Sequence, residues 1–185
     1  GCASRPYPHS APCCGQGRML TRQLLPLMQP GCRIVNTVSC TYAIGRIEPD
    51  FFEKGRNGRF FRIPVYSNTK LALLLFTQEL AERLQNQGIT INASDPGIVS
   101  TNMITMQAWF DPLTDILFRP FIKTPAQGAA TAIHLALSDE AKDKNGCCYA
   151  NCKKRNVSER IRHHAQQKQL WDDTETLLRQ KGIRF

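Results

Sequence analysis

Three short runs, "CRIVNTVS", "ITINASD" and "GCCYANC", carry the β-branched and apolar residues of buried strands, and segments of helical period lie between them. This alternation constrains the fold more than any other feature. Strands separated by helices pair in parallel through long crossovers, so they predict an α/β fold with a partial doubly wound parallel sheet. The first crossover contains a helix from about Pro64 to Gln87, with Pro64 suited to its first turn and Gly88 to its end. Leu73, Phe76, Leu80 and Leu84 form one stripe on it, widened by Ala72, Leu75 and Ala81. The second crossover holds the amphipathic helix "PAQGAATAIHLALSD", where His134 falls on an apolar stripe and reads as a packed core histidine. A short helix in "RMLTRQLLPLMQP" precedes the first strand and ends at Pro30. One helix from Ser158 to Lys181 closes the chain. Residues 1–17 are dense in Pro, Gly, Ser and Cys and lack any apolar period. They read as an irregular segment, with 18–185 as the folded part.

The formal net charge of +9 invites a nucleic-acid reading. The late cations, among them Lys153, Lys154, Arg155, Arg160 and Arg162, share their region with Glu159, Asp172, Asp173 and Glu175, and no aromatic-basic module interleaves with them. They read as a solvated face and no nucleic-acid partner is expected; a basic cleft for a phosphorylated cofactor is the lesser alternative. The eight cysteines do not form a disulfide framework. "CCYANC" with His163 and His164 downstream is too loosely spaced for zinc and has no second cysteine pair, so no metal and reduced, buried thiols are expected. No run approaches the roughly 18 apolar residues of a membrane span. The N-terminus lacks a hydrophobic signal core, so a cytoplasmic location is expected.

The chemistry sits in "VYSNTK". Tyr66 and Lys70 are four residues apart and share a helix face one turn apart. Alone they read equally as an exposed surface pair. A free phenol has a pKa of about 10, too high for a base near neutrality. An ammonium one turn away and a place in the first helical turn both favour the phenolate. Ser39, at the end of the strand "RIVNTVS", stands where doubly wound sheets bind ligands and offers a fixed donor to a substrate oxygen.

These residues have company in a recognisable order. Tyr66 and Lys70 resemble the Tyr-x-x-x-Lys pair of short-chain dehydrogenases/reductases, and Ser39, with Gly45 six residues on, resembles that family's serine-bearing strand. "DPGIVSTNM" resembles its Pro-Gly turn, and the "KTPAQGA" helix and "GCCYANC" strand resemble its later elements. The resemblance covers about residues 19 to 180. Ser39 and Tyr66 lie 27 positions apart, which is similar to the insertion of the retinol dehydrogenase and WW-domain oxidoreductase branch. The resemblance implies an NAD(P)-dependent oxidoreductase acting on an alcohol or carbonyl. Ser39, Tyr66 and Lys70 are then catalytic, with Lys70 also on the cofactor ribose, and Tyr66, Lys70, Pro96, Gly97, Ile98 and Thr101 bind NAD or NADP. Trp109, Phe110, Phe118 and Phe121 resemble the family's substrate loop and imply a lipophilic small-molecule substrate. The stripe on the 64–87 helix is the family's place for a homodimer.

The family's opening strand and glycine-rich TGxxxGxG turn have no counterpart in this sequence. "CCGQGR" contains a GxG, but no strand precedes it. Cys13 stands where the family usually carries an asparagine ahead of its Leu-Thr pair, here Leu20 and Thr21. The chain therefore resembles the C-terminal part of such a domain, without the N-terminal βαβ unit. A catalytically silent remnant that acts as an interaction module is the alternative, and the sheet is expected to leave one strand as an exposed edge.

Overall fold

In the computed structural model, which describes residues 11–47, 62–99 and 123–180, four strands form one sheet. They are β1 (Arg33–Thr37), β2 (Thr90–Asp95), β3 (Cys148–Ala150) and β4 (Lys153–Lys154), in the spatial order β1-β2-β3-β4. β1 pairs with β2 in parallel, Val35 opposite Asn92, and β2 pairs with β3 in parallel, Ser94 opposite Tyr149. This is the parallel sheet that the alternating strands and helices predict. β4 adds an antiparallel strand where the sequence reading carried one strand through Cys152. Asn151 (φ 52°) and Cys152 (φ 59°) both take the left-handed conformation that two-residue hairpins favour, and asparagine tolerates it well. Thr101 and the aromatic stretch with Trp109, Phe110, Phe118 and Phe121 lie outside the described residues.

Side chains alternate across the sheet as the pleat requires. On one face Ile34, Ile91, Ala93 and Cys148 meet α2 (Arg62–Arg83), the central crossover helix. On the other, Val35 and Tyr149 meet Leu135 of α3 (Pro125–Leu137), whose N-terminus is closed by a Thr124–Gln127 capping box. Buried polar groups on the central strand are satisfied locally. Asn92 donates to the Lys144 carbonyl at 2.6 Å and accepts from the Cys147 amide at 3.0 Å. His134 is half-buried beside Tyr149, ring centroids 6.2 Å apart, rather than in the core.

α2 is covered on more sides than its sequence stripe suggests. Leu71, Ala72, Leu74 and Leu75 are all fully buried, and Leu80 and Leu84 pack with Ile89, Ile91 and Trp171. The stripe from Leu73 to Leu84 is thus taken by the chain's own β2 and its terminal helix, not held open for a second copy. α1 spans Ala11–Leu24 and continues into a short 3-10 turn, Leu25–Leu27. It begins well before the expected end of the irregular segment, and Pro12 is compatible with its first turn. Its buried Arg18 lies over the Phe76 and Trp171 rings and donates to the Leu170 and Trp171 carbonyls. Among the described residues no helix is long and apolar enough to cross a membrane, and no group of His, Cys, Asp and Glu is placed to hold a metal ion.

The closing helix is two helices, α4 (Glu159–Arg162) and α5 (Gln167–Gln180). The break falls at the histidine pair. His164 accepts the Gln166 amide on its ring Nδ1 at 3.2 Å and the Gln167 amide on its carbonyl at 2.9 Å. These bonds satisfy the start of α5 and compete with helix continuation. The break also lets Gln167 reach back to Glu79 and Glu82. Burial, then the Arg160 guanidinium, holds the His164 pKa below its ordinary 6.5. The folded chain thus binds this proton less readily than the unfolded chain does. Its contribution is present above about pH 6.5 and is lost as the pH falls from there towards the lowered folded value. Urea midpoints should therefore drop between about pH 7.5 and about pH 5.5, and less so in His164→Asn, which keeps an acceptor for Gln166. An identical drop in the variant would remove His164 from the account.

Candidate functional site

The site is assembled where β1 and β2 end. Beyond β1 the buried Val38 keeps the strand's line by donating its amide to the Ser94 carbonyl at 2.9 Å. Ser39 then leaves the sheet with extended backbone and starts a 3-10 turn, Cys40–Ile44, its Oγ accepting the Thr41 amide at 3.5 Å. Gly45 ends the turn against α2. A Cβ on Gly45 would lie 2.6 Å from the Ser67 carbonyl oxygen, so only glycine permits this approach. The next amide, of Arg46, donates to Asn68 Oδ1 at 2.8 Å. The Ser39 turn is therefore docked on the stretch of α2 that carries Tyr66 and Lys70. Gly45→Ala should lower stability by about 1–3 kcal/mol, because a helix carbonyl cannot move aside; an unchanged urea midpoint would contradict the docking.

Tyr66 is 43% exposed, unusual for a tyrosine on a helix otherwise so covered. Lys70 sits one turn further on, with Nζ 5.5 Å from the centre of the Tyr66 ring. The same ammonium donates to the Thr37 carbonyl at 2.9 Å. Lys70 thus ties α2 to the last residue of β1, two positions before Ser39. Sequence spacing alone showed only the Tyr66–Lys70 pair; the link to β1 comes from the fold.

The end of β2 contributes a turn. The buried Asp95 carboxylate accepts the Gly97 amide at 3.0 Å and pairs with Arg155 at 2.9 Å. Gly97 has φ +77°, which favours glycine. Ile98 is 43% exposed and faces away from the core. Pro96, Gly97 and Ile98 thus stand at the end of the strand next to the one that leads to Ser39. Of the seven residues expected to be catalytic or cofactor-binding, Ser39, Tyr66, Lys70, Pro96, Gly97 and Ile98 lie near these strand ends, and Thr101 lies outside the described residues.

Beneath the serine turn lies a feature the sequence did not signal. Tyr42 is buried in one cluster with Cys148. Burial, with Cys148 next, pushes the Tyr42 phenol up to about 12, and burial pushes the Cys148 thiol up to about 11. Neither group ionises near neutrality, so Cys148 is packing rather than a nucleophile. Cys32, Cys40, Cys147, Cys148 and Cys152 are free, and of these five Cys148 alone is buried and Cys40 is exposed. Asp95, Arg155 and Lys123 were also missed. An aspartate before Pro-Gly is a local turn signal, whereas the contacts of Arg155 and Lys123 join residues far apart in sequence.

A parallel sheet flanked by helices, with Ser39, Tyr66 and Lys70 near its strand ends, defines a doubly wound α/β fold. Comparison with known proteins narrows this. The description "short chain dehydrogenase" matches residues 53–109, a stretch holding Tyr66, Lys70 and Pro96 to Thr101 but not Ser39. Retinol dehydrogenase 12 of Mus musculus is 36% identical over 156 residues, 83% of this chain and 48% of that protein. Among solved structures, an uncharacterised Mycobacterium paratuberculosis protein aligns with TM-score 0.64 and 24% identity over 88% of this chain and 56% of its own. A blue fluorescent protein from a metagenomic library, in complex with NADPH, aligns with TM-score 0.52 and 27% identity over 70% of this chain and 47% of its own. The chain belongs to the short-chain dehydrogenase/reductase family, on its retinol dehydrogenase-like branch. It spans about half the length of the relatives it matches.

Proposed function

We propose that this chain carries the proton-transfer half of a nicotinamide-dependent oxidoreductase that interconverts an alcohol and a carbonyl on a lipophilic small molecule. The observation that carries the reading is the position of Lys70, whose ammonium lies over the Tyr66 ring and bonds the carbonyl at the end of β1. That contact sets a phenol, an ammonium and the Ser39 turn at one strand end. The residues present suit a nicotinamide nucleotide. Tyr66 and Ile98 expose flat or apolar surface, and Lys70 supplies a cation for ribose hydroxyls. When bound, the nicotinamide supplies or accepts the hydride.

Within this reading the Tyr66 phenol gives its proton to the carbonyl oxygen during reduction and takes it back during oxidation. Ser39 Oγ donates to the same oxygen and polarises it. Lys70 orients Tyr66 and the ribose, while Pro96, Gly97, Ile98 and Thr101 form the cofactor wall. The relatives' name, retinol dehydrogenase, supports a lipophilic alcohol as substrate, and the NADPH in the aligned blue fluorescent protein supports NADPH as the cofactor to test first. The test is loss of reduced-nicotinamide absorbance when the chain meets NADPH and a long-chain aldehyde. Aldehyde-dependent consumption is expected; none with NADPH or NADH would contradict the reading.

A second reading, an interaction module without turnover, is favoured by one observation. Among the described strands β1 is an edge, and an edge strand offers its outward backbone groups to another strand. This reading predicts that a partner chain supplies the neighbouring strand and that the isolated chain consumes no nucleotide.

A further inference from the structure

We propose that Lys123 is a positioning residue that locks the Pro96–Gly97 turn to the β3–β4 hairpin, so that the hairpin sets the nucleotide-facing turn; this rests on the nicotinamide reading above. The Lys123 ammonium donates to the Pro96 carbonyl at 2.9 Å and to Asn151 Oδ1 at 2.6 Å. Its backbone is tied to the same turn, the Lys123 amide donating to the Ile98 carbonyl at 2.8 Å beside a parallel bridge between Val99 and Lys123. The side chain runs directly over Gly97. A Cβ there would lie 3.0 Å from Lys123 Nζ and 3.2 Å from its Cε. The φ of +77° favours glycine here, and a side chain at this position would have to push the lysine's end aside by a few tenths of an ångström.

The other side of the turn is held by the same hairpin. Arg155, just past β4, bonds Asp95 Oδ2 at 2.9 Å, and Asp95 Oδ1 accepts the Gly97 amide at 3.0 Å. Arg155 is itself fixed by its amide, which donates to the Cys148 carbonyl at 2.8 Å. Two charged contacts thus converge on one turn, from Asn151 through Lys123 and from Arg155 through Asp95. Charge-assisted bonds of this length are the strong ones. A turn held on both sides loses little freedom when a ligand docks against it, which is what preorganisation means energetically. None of these four residues has a part in the proton transfer.

The test uses the whole chain. Lys123→Met removes the ammonium. Asn151→Gly deletes only its acceptor while keeping the positive φ, so it serves even where Lys123→Met fails to fold. Hydrogen exchange at the Gly97, Ile98 and Val99 amides is read beside NADPH affinity and melting temperature. The expected result is exchange about tenfold faster and NADPH binding about tenfold weaker in both variants, with the Asn151→Gly melting temperature unchanged and Lys123→Arg recovering part of the affinity. Unchanged exchange in both variants, or faster exchange at unchanged affinity, would overturn the positioning role. A wild-type chain with no saturable NADPH response would contradict the nicotinamide reading instead, and the exchange rates alone would then decide whether the lysine holds the turn.

Discussion

Tyr66→Phe is expected to lower carbonyl reduction by about a hundredfold to ten-thousandfold while leaving the urea midpoint where it was. The substitution removes one oxygen and keeps the ring that lies beneath the Lys70 ammonium. The residue is 43% exposed, so the packing of α2 does not depend on its hydroxyl. A large loss of turnover without a loss of stability therefore isolates proton transfer. Lys70→Met should act differently. It frees the Thr37 carbonyl and loosens the tie between α2 and β1, so it should weaken nucleotide binding as well as turnover. Turnover that survives in Tyr66→Phe would show that another group supplies the proton.

The second large effect is structural. Trp171→Ala should cost about 3–5 kcal/mol, a substantial part of the roughly 5–15 kcal/mol that holds a domain of ordinary stability. Trp171 is 1% exposed and stacks on Phe76, with ring centroids 5.5 Å apart and planes 13° apart. Three guanidinium groups stand over its ring, Arg83 at 4.3 Å, Arg18 at 4.7 Å and Arg22 at 5.4 Å. These come from α1 and α2 and close on a ring from α5, so one side chain joins three helices. Among the described residues the indole Nε1 has no hydrogen-bond partner, so the ring rather than its N–H does the joining. Trp171→Phe should accordingly cost well under half as much as Trp171→Ala in urea unfolding. Equal losses for the two variants would mean that the stacked ring is not what holds the helices.

Much of this was legible in the chain, and the reasons differ by element. Parallel β1 and β2 followed from β-branched runs set apart by a long helical period, a signal that local chemistry carries on its own. Tyr66 and Lys70 were visible because helical spacing converts four positions into one turn. The break at His163 and His164 was not, since it depends on a ring nitrogen competing for backbone amides and on Gln167 finding Glu79 across the fold. The hairpin turn at Asn151 and Cys152 was missed because an Asn-Cys pair is a weaker turn signal than Asn-Gly. Burial of the Leu73–Leu84 stripe within the chain likewise depends on where α5 lies. Lys123 and Arg155 gain their meaning only from contacts 27 and 60 positions away, which no periodicity reveals.

On the proposed reading, Tyr66, Lys70 and the Pro96–Ile98 turn hold a nicotinamide nucleotide beside Ser39. This is tested most directly by titrating the purified chain with NADPH and NADH and following the enhancement of nucleotide fluorescence. A saturable response to at least one of them is expected, weakened in Lys70→Met. A response that stays linear with both nucleotides, or one that Lys70→Met leaves unchanged, would contradict it.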